Sequence, residues 1–152
     1  MHYIKIRIIF LFILNYLFFI VKLFKKIKVC LCTIGKKENL YAREYVNYYK
    51  NLGINKIFIY DNNDEKDETF DLVLKDYIDA GFVEIIDARG KLSLQVKEME
   101  ECRKNNYNKF DWLLFFDMDE FLYLRNYSNI NDFLKKRVFD KCQKIQLYTH
   151  RQ

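Results

Sequence analysis

Three carboxylates within four residues follow a short apolar stretch: Asp117, Asp119 and Glu120 come directly after residues 112–116 (WLLFF). A run of large apolar side chains bounded by polar residues predicts a strand buried on both faces, as in the middle of a parallel sheet. Clustered carboxylates repel one another unless a cation neutralises them, and hard oxygen ligands suit Mg²⁺ or Mn²⁺. The spacing therefore predicts a divalent metal site that also holds a diphosphate, at the sheet edge where open α/β folds bind ligands.

The simpler alternative is that these acids are solvated turn residues, because a short acidic motif has a high false-positive rate. Apolar residues resume at once, however, in residues 121–124 (FLYL). The acids therefore lie between two segments that are expected to be buried. This context favours a binding site.

The elements that position these acids alternate between strand and helix patterns. Strands are predicted at residues 27–33, 56–60, 82–86 and 112–116, and helices at 39–52, 68–79 and 92–105, followed by a short helix at 131–138 and a strand at 144–148. This order predicts an α/β fold with a mostly parallel sheet flanked by helices and connected by right-handed crossovers. The tyrosines at helical spacing in residues 39–52 are predicted to serve packing.

Composition and charge exclude some classes of protein. The chain has 152 residues, 51% hydrophobic and 31% charged, with no proline and four glycines, which indicates one folded domain without a flexible linker. Of the 26 cationic residues, six lie in the first 28 residues, so the rest of the chain has 20 cationic and 21 acidic residues. A domain that is nearly neutral is not expected to bind nucleic acid.

The first segment predicts a membrane anchor. Residues 8–21 carry no charge, and Lys5, Arg7 and Lys22 can extend their charged ends away from the bilayer, which lengthens the apolar helix to residues 4–24. A cleaved signal peptide is the rival, but no Ala, Gly or Ser occurs before Gly35 to form a cleavage site. A buried soluble helix is the other alternative. We expect an uncleaved anchor at residues 1–26 and a single-pass membrane protein. The side is undecided, although the flanking cations lean towards a cytosolic domain.

The four cysteines show no zinc-binding spacing. Cys30 and Cys32 share one face of a predicted strand, whereas Cys102 and Cys142 stand alone. Buried free thiols are predicted for all four, with a disulfide as the alternative.

Three segments, in this order, resemble glycosyltransferases of the GT-A, family 2 type, and most of all the branch related to glycosyltransferase family 92. They are residues 44–54 (EYVNYYKNLGI), 57–63 (IFIYDNN) and 112–122 (WLLFFDMDEFL). The resemblance implies a Rossmann-like nucleotide-binding half at residues 27–152. It also implies transfer of a sugar from a nucleotide-diphosphate donor, most simply a UDP-sugar, to an unknown acceptor with the help of Mn²⁺ or Mg²⁺.

The resemblance also implies roles for individual residues. Asp119 is expected to ligate the metal, Asp117 to join the metal site and reach the ribose or a metal-bound water, and Glu120 either to ligate or to orient the loop. Asp61 is expected to bind the nucleotide base and Thr33 to contact the nucleoside. Further donor contacts are expected beyond the third strand, at Arg89, Lys91 and Gln95, with solvated surface charge as the equal alternative for the two cations.

The segment after Glu120 departs from the family pattern, in which the acceptor site and the catalytic base follow the acidic motif. Only about thirty residues follow here. Asp140 and His150 are the nearby groups with suitable chemistry, but neither belongs to a motif, and the favoured alternative is that both are surface residues. The chain thus resembles a donor-binding half that is truncated after the acidic region. The alternatives are a membrane-tethered domain that binds nucleotide or metal without turnover and, less well supported, a phosphatase of the haloacid dehalogenase type.

Overall fold

A computed structural model describes residues 16, 26–90, 95–139 and 142–145. Strands and helices alternate, as predicted. In chain order they are β1 (Val29–Gly35), α1 (Asn39–Leu52), β2 (Lys56–Asp61), α2 (Phe70–Asp79), β3 (Val83–Asp87), α3 (Gln95–Asn106), β4 (Trp112–Phe115) and α4 (Ile130–Leu134), followed by a 3₁₀ turn, Arg137–Phe139.

The four strands form one sheet in the order β3-β2-β1-β4, and every neighbouring pair is parallel. Helix α1 connects β1 to β2 and α2 connects β2 to β3, both in the same direction across the sheet, whereas α3 connects β3 to β4 at the opposite end of the sheet. When all crossovers are right-handed, helices that connect strands in opposite directions lie on opposite faces of the sheet. The predicted α/β class with a parallel sheet flanked by helices is confirmed.

The two faces of the sheet have separate cores. Leu31, Ile57 and Ile59 pack with residues of α1 and α2 such as Tyr45 and Leu74, and all five side chains are fully buried. The alternate residues Cys30, Cys32, Phe58 and Tyr60 pack on the opposite face with Cys102 of α3. The alternation of side chains along a strand explains this division. Every residue of β1 except Ile34 is buried, as expected for an inner strand.

The prediction that residues 112–116 form a central strand buried on both faces is wrong. Strand β4 lies at one end of the described sheet and pairs only with β1 within it, and its four residues are half-buried. An apolar run indicates burial against helices but not which strand lies on each side. The acids therefore follow an outer strand of the described sheet.

Two predictions near the carboxyl end also differ from the structure. The helix predicted at residues 131–138 is divided into α4 and the 3₁₀ turn, because Phe139 folds back to pack its ring against Trp112 and Phe133. Residues 144 and 145 are not in a strand, and the rest of the strand predicted at 144–148 lies outside the described residues.

The prediction of four buried free thiols is also wrong. Cys32 of β1 and Cys102 of α3 form a disulfide, and Cys142 is exposed. Because α3 covers the face onto which Cys30 and Cys32 point, one of the two strand cysteines meets Cys102. Cys30 alone is a buried free thiol, and burial raises the pKa of its thiol to about 12, which keeps it protonated and unreactive at neutral pH.

The predicted membrane anchor, residues 1–26, lies outside the described residues apart from Tyr16 and Lys26. Among the residues that the structure describes, no helix has the length and apolarity needed to cross a bilayer.

Candidate functional site

The carboxyl ends of the strands bring most of the predicted site residues to one edge of the sheet. Gly35 of β1, Asp61 of β2 and Asp87 of β3 are register partners in a row across this edge. Thr33 lies two residues earlier on β1, and Asp117 follows β4 after one further residue. The parallel topology thus places residues that are up to 84 positions apart in the sequence at a common edge, as expected for a ligand-binding edge.

The acids form a tight turn, residues 117–120, which we call the acid turn. The Glu120 N–H donates to the carbonyl oxygen of Asp117 (3.0 Å), and the Asp117 N–H donates to Glu120 Oε2 (3.2 Å). The Glu120 carboxylate is therefore directed back onto the backbone of its own turn. This contact favours the loop-orienting alternative for Glu120, and its role as a metal ligand stays a prediction.

Met118 fixes the acid turn against the body of the domain. Its side chain is 2% exposed, whereas Asp119 is exposed and Asp117 is half-buried. A Cβ atom placed on Gly35 would lie 2.7 Å from Phe70 Cζ and 3.0 Å from Met118 Cε. Only a residue without a side chain lets the end of β1 approach the turn this closely.

A fourth carboxylate, which sequence analysis missed, belongs to this site. Glu38 precedes α1, and its pKa is raised by burial and, in addition, by the negative charges of Asp119 and Asp117. The charges of Glu38, Asp117 and Asp119 therefore act on one another. The sequence signal was available, because Glu38 comes three residues after the end of β1 and hence lies at the same edge.

Asp61 lies at the predicted edge, but it is 1% exposed and its carboxylate binds backbone amides. Its Oδ1 accepts from the Asn63 N–H (3.0 Å) and its Oδ2 from the N–H of Phe70 (3.3 Å), the first residue of α2. A carboxylate at a helix amino terminus is stabilised by the helix dipole. In these contacts Asp61 acts as a structural residue, and base recognition by Asp61 stays a prediction.

The Asn63 side chain links the β1–α1 loop and the β2–α2 loop, which both lie at this edge, through hydrogen bonds. Its Oδ1 accepts from the Lys37 N–H (2.6 Å), and its Nδ2 donates to Asn39 Oδ1 (3.0 Å) and to the Glu68 carbonyl oxygen (3.0 Å). Its side chain is 1% exposed. It therefore joins the β1–α1 loop to the β2–α2 loop, a role that sequence analysis did not assign.

The remaining predicted donor contacts are only partly described. Arg89 Nε donates to Asp87 Oδ1 (2.9 Å), and this carboxylate, together with the more distant Asp61, raises the pKa of Arg89. The Arg89 charge is thus paired within the fold, near the end of β3. Lys91 lies outside the described residues, as does the side chain of Gln95, the first residue of α3.

Thr33 lies beneath this edge, with its side chain 2% exposed, beside Tyr45 of α1. Burial raises the pKa of the Tyr45 hydroxyl, and the adjacent Thr33 hydroxyl partly offsets this rise. Neither hydroxyl has a hydrogen-bond partner of good geometry within the described part of the chain. The predicted contact of Thr33 with a nucleoside therefore stays a prediction.

The acid turn suits a divalent cation that shares its coordination with a ligand. No group of three or more acidic, histidine or cysteine side chains in the described residues is arranged to hold a metal on its own. Mg²⁺ commonly takes one or two carboxylates together with phosphate oxygens and waters. Asp117 and Asp119 supply such an incomplete set, and their negative charges add to the effect of burial in raising the pKa of Glu38.

Comparisons with known proteins agree with the resemblance seen in the sequence. Residues 25–152 match the family model described as Glycosyltransferase family 92. A glycosyltransferase family 92 protein of Ricinus communis is 30% identical over 110 residues, which cover 72% of this chain and 20% of that protein. A family 92 protein of Oryza sativa subsp. japonica is 25% identical over 107 residues, covering 70% and 18%, respectively.

A third family 92 protein, from Arabidopsis thaliana, is 30% identical over 105 residues, covering 64% of this chain and 17% of that protein. The chain thus spans about one fifth of the length of the curated relatives that it matches. No solved structure is significantly similar to it.

Proposed function

Because this chain belongs to glycosyltransferase family 92, we propose that its acid turn binds Mn²⁺ or Mg²⁺ and, through the cation, the diphosphate of a nucleotide-sugar donor. The observation that carries the proposal is the placement of Asp117 and Asp119 in a closed turn at the carboxyl edge of a parallel sheet, where their charges also act on Glu38. Like charges that act on one another favour a bound cation, and this edge is where folds of this class bind nucleotides.

Asp119 is the proposed direct ligand. Its side chain is exposed and makes no hydrogen bond or ion pair with another described residue, so it can turn towards a cation without breaking an internal contact. Asp117 is proposed to join it or to bind a metal-bound water or the ribose. Glu120 is proposed to keep the turn closed through its bond to the Asp117 N–H.

The proposed reaction is transfer of the sugar from a UDP-sugar to an acceptor. When bound, the cation supplies charge stabilisation for the nucleoside diphosphate that leaves in this reaction. The acids of the turn hold it, Met118 fixes the turn to the core, and Arg89 lies at the same edge, near the end of β3, where a cation can meet the donor. The proposal includes the N-terminal membrane anchor as the means of localisation, with the side of the membrane undecided.

Binding without turnover is the second candidate. The described residues include the acids proposed to hold a donor, but Asp140 and His150, the groups considered as catalytic base, lie outside the described residues. Release of free sugar from a UDP-sugar by the purified chain, lost in Asp119→Ala, would favour the transferase. Tight donor binding without hydrolysis or transfer would favour the second candidate. The family assignment gives no support to the phosphatase alternative.

Isothermal titration tests the donor-binding proposal. We expect UDP and UDP-sugars to bind the full chain in the presence of Mn²⁺ and to lose most of their affinity in EDTA, because the cation bridges the acid turn and the diphosphate. GDP and ADP test base selectivity under the same conditions. If no nucleoside diphosphate binds in the presence of Mn²⁺ or Mg²⁺, the proposal is wrong.

A further inference from the structure

The exit of the acid turn is held by tyrosine hydroxyls from α1. The Tyr49 O–H donates to the carbonyl oxygen of Glu120 (2.9 Å), and the same hydroxyl oxygen accepts from the Leu122 N–H (3.1 Å). The Tyr48 O–H donates to the carbonyl oxygen of Leu122 (2.7 Å). Three hydrogen bonds therefore fix the backbone directly after the acids, and each of them joins residues more than 70 positions apart in the sequence.

The Tyr49 ring is enclosed by the residues that flank the turn on both sides. It stacks on Phe116, which precedes the turn (6.1 Å between centroids, 16° between planes), and on Phe121, which follows it (6.4 Å, 9°). Tyr48 meets Phe121 edge to face (5.0 Å). Tyr49 is fully buried, and burial raises the pKa of its hydroxyl, so this group is neutral and acts as donor and acceptor.

This arrangement complements the support at the start of the turn. The chain enters the acid turn from β4, which is hydrogen-bonded to β1, and leaves it through the tyrosine contacts. The four acid-turn residues between these supports have no strand or helix of their own. A metal site needs its ligands held to within a fraction of an ångström by surrounding residues, and the loss of such a supporting residue commonly weakens metal binding.

We infer that Tyr49, assisted by Tyr48, is a positioning residue for the acid turn, keeping Asp117 and Asp119 in the arrangement that binds a divalent cation together with a diphosphate. The inference rests on the proposed function, because it assigns these two hydroxyls to the same site. It goes beyond packing, since the rings fill the core but the hydroxyl bonds end on the loop that carries the acids.

The Tyr49→Phe variant tests the inference, because it keeps the stacked ring and removes only the hydroxyl. We expect binding of UDP in the presence of Mn²⁺ to weaken about 10-fold, the lower end of the effect of losing a supporting contact. The residual affinity for UDP in EDTA is expected to be the same in Tyr49→Phe as in the unaltered chain. Tyr41→Phe is the matched control, because Tyr41 lies on the same helix and is 60% exposed.

A double-mutant cycle separates positioning from general destabilisation. In the Asp119→Ala background, Tyr49→Phe is expected to cause no further loss of UDP binding, because the metal-dependent part has already gone. Hydrogen exchange gives an independent readout: the Leu122 amide is expected to exchange about 5-fold faster in Tyr49→Phe, as for the loss of one hydrogen bond.

The outcomes distinguish the inference from the proposed function. If the unaltered chain binds UDP with Mn²⁺ and Tyr49→Phe binds it equally well, the inference is overturned and the proposed function stands. An equal loss in Mn²⁺ and in EDTA also overturns it. If the unaltered chain shows no metal-dependent binding, both are overturned. Should Tyr49→Phe fail to fold, Tyr48→Phe tests the same loop, with an expected loss of about 3-fold, and an unchanged affinity there overturns the inference.

Discussion

Replacing Asp119 with Ala is expected to abolish metal-dependent donor binding while leaving the fold intact. Its side chain is exposed and makes no hydrogen bond or ion pair with another described residue, so its removal costs little stability. As a direct ligand, it contributes more to metal affinity than a supporting residue, whose loss costs about 10- to 100-fold. We therefore expect a loss of at least about 100-fold in the affinity for UDP in the presence of Mn²⁺, measured by isothermal titration.

Asp79→Ala is the matched control for this prediction, because Asp79 is an exposed acid paired with Lys75 at the far end of α2. It removes the same charge from a place outside the site. Thermal unfolding of both variants checks that the fold is retained. If Asp119→Ala binds UDP with Mn²⁺ as tightly as Asp79→Ala does, the assignment of Asp119 as a ligand is wrong.

Replacing Asn63 with Ala is expected to cause a large loss of stability. The buried side chain makes three hydrogen bonds, two of which join the β2–α2 loop to Lys37 and Asn39, and its removal would leave three part-buried groups without these partners. Each unsatisfied buried group costs about 1–3 kcal/mol. We expect the free energy of unfolding to fall by about 3 kcal/mol, which lowers the Tm by on the order of 10 °C in a domain of this size.

Denaturant unfolding of Asn63→Ala and of Asn108→Ala gives the comparison. Asn108 is exposed in the loop before β4, and its replacement is expected to change stability by less than about 0.5 kcal/mol. If the free energy of unfolding falls no more in Asn63→Ala than in the control, Asn63 does not link the two loops as described. Because one of these loops carries Glu38 and the other directly follows Asp61, donor binding is expected to weaken as well.

The features of the fold that depend on local pattern could be predicted from the sequence. Helix α1 ends before Gly53 as predicted, because Gly53 adopts the left-handed conformation that closes a helix. The alternation of strands and helices fixed the parallel topology, and with it the edge at which Asp61 and Asp117 lie. The resemblance to glycosyltransferase family 92 is confirmed by the family match.

The features that depend on tertiary contacts between distant elements could not be predicted from the sequence. The apolar residues of β4 gave no sign that it lies outermost in the described sheet. The pairing of Cys32 with Cys102 depends on the face that α3 covers. The contacts of Asp61 depend on the place where α2 begins, and the tyrosine pattern of α1 showed packing but not the loop that receives the Tyr48 and Tyr49 hydroxyls.

Paramagnetic broadening by Mn²⁺ tests most directly whether the acid turn binds a cation. In the isotope-labelled full chain with UDP present, we expect the amide signals of residues 117–120 and of Glu38 to broaden first, and EDTA to restore them. Mg²⁺ at the same concentration should shift these signals without broadening them. Broadening that instead begins at other acids, such as Asp64 or Glu100, while the signals of the acid turn stay sharp, would contradict the proposed metal site.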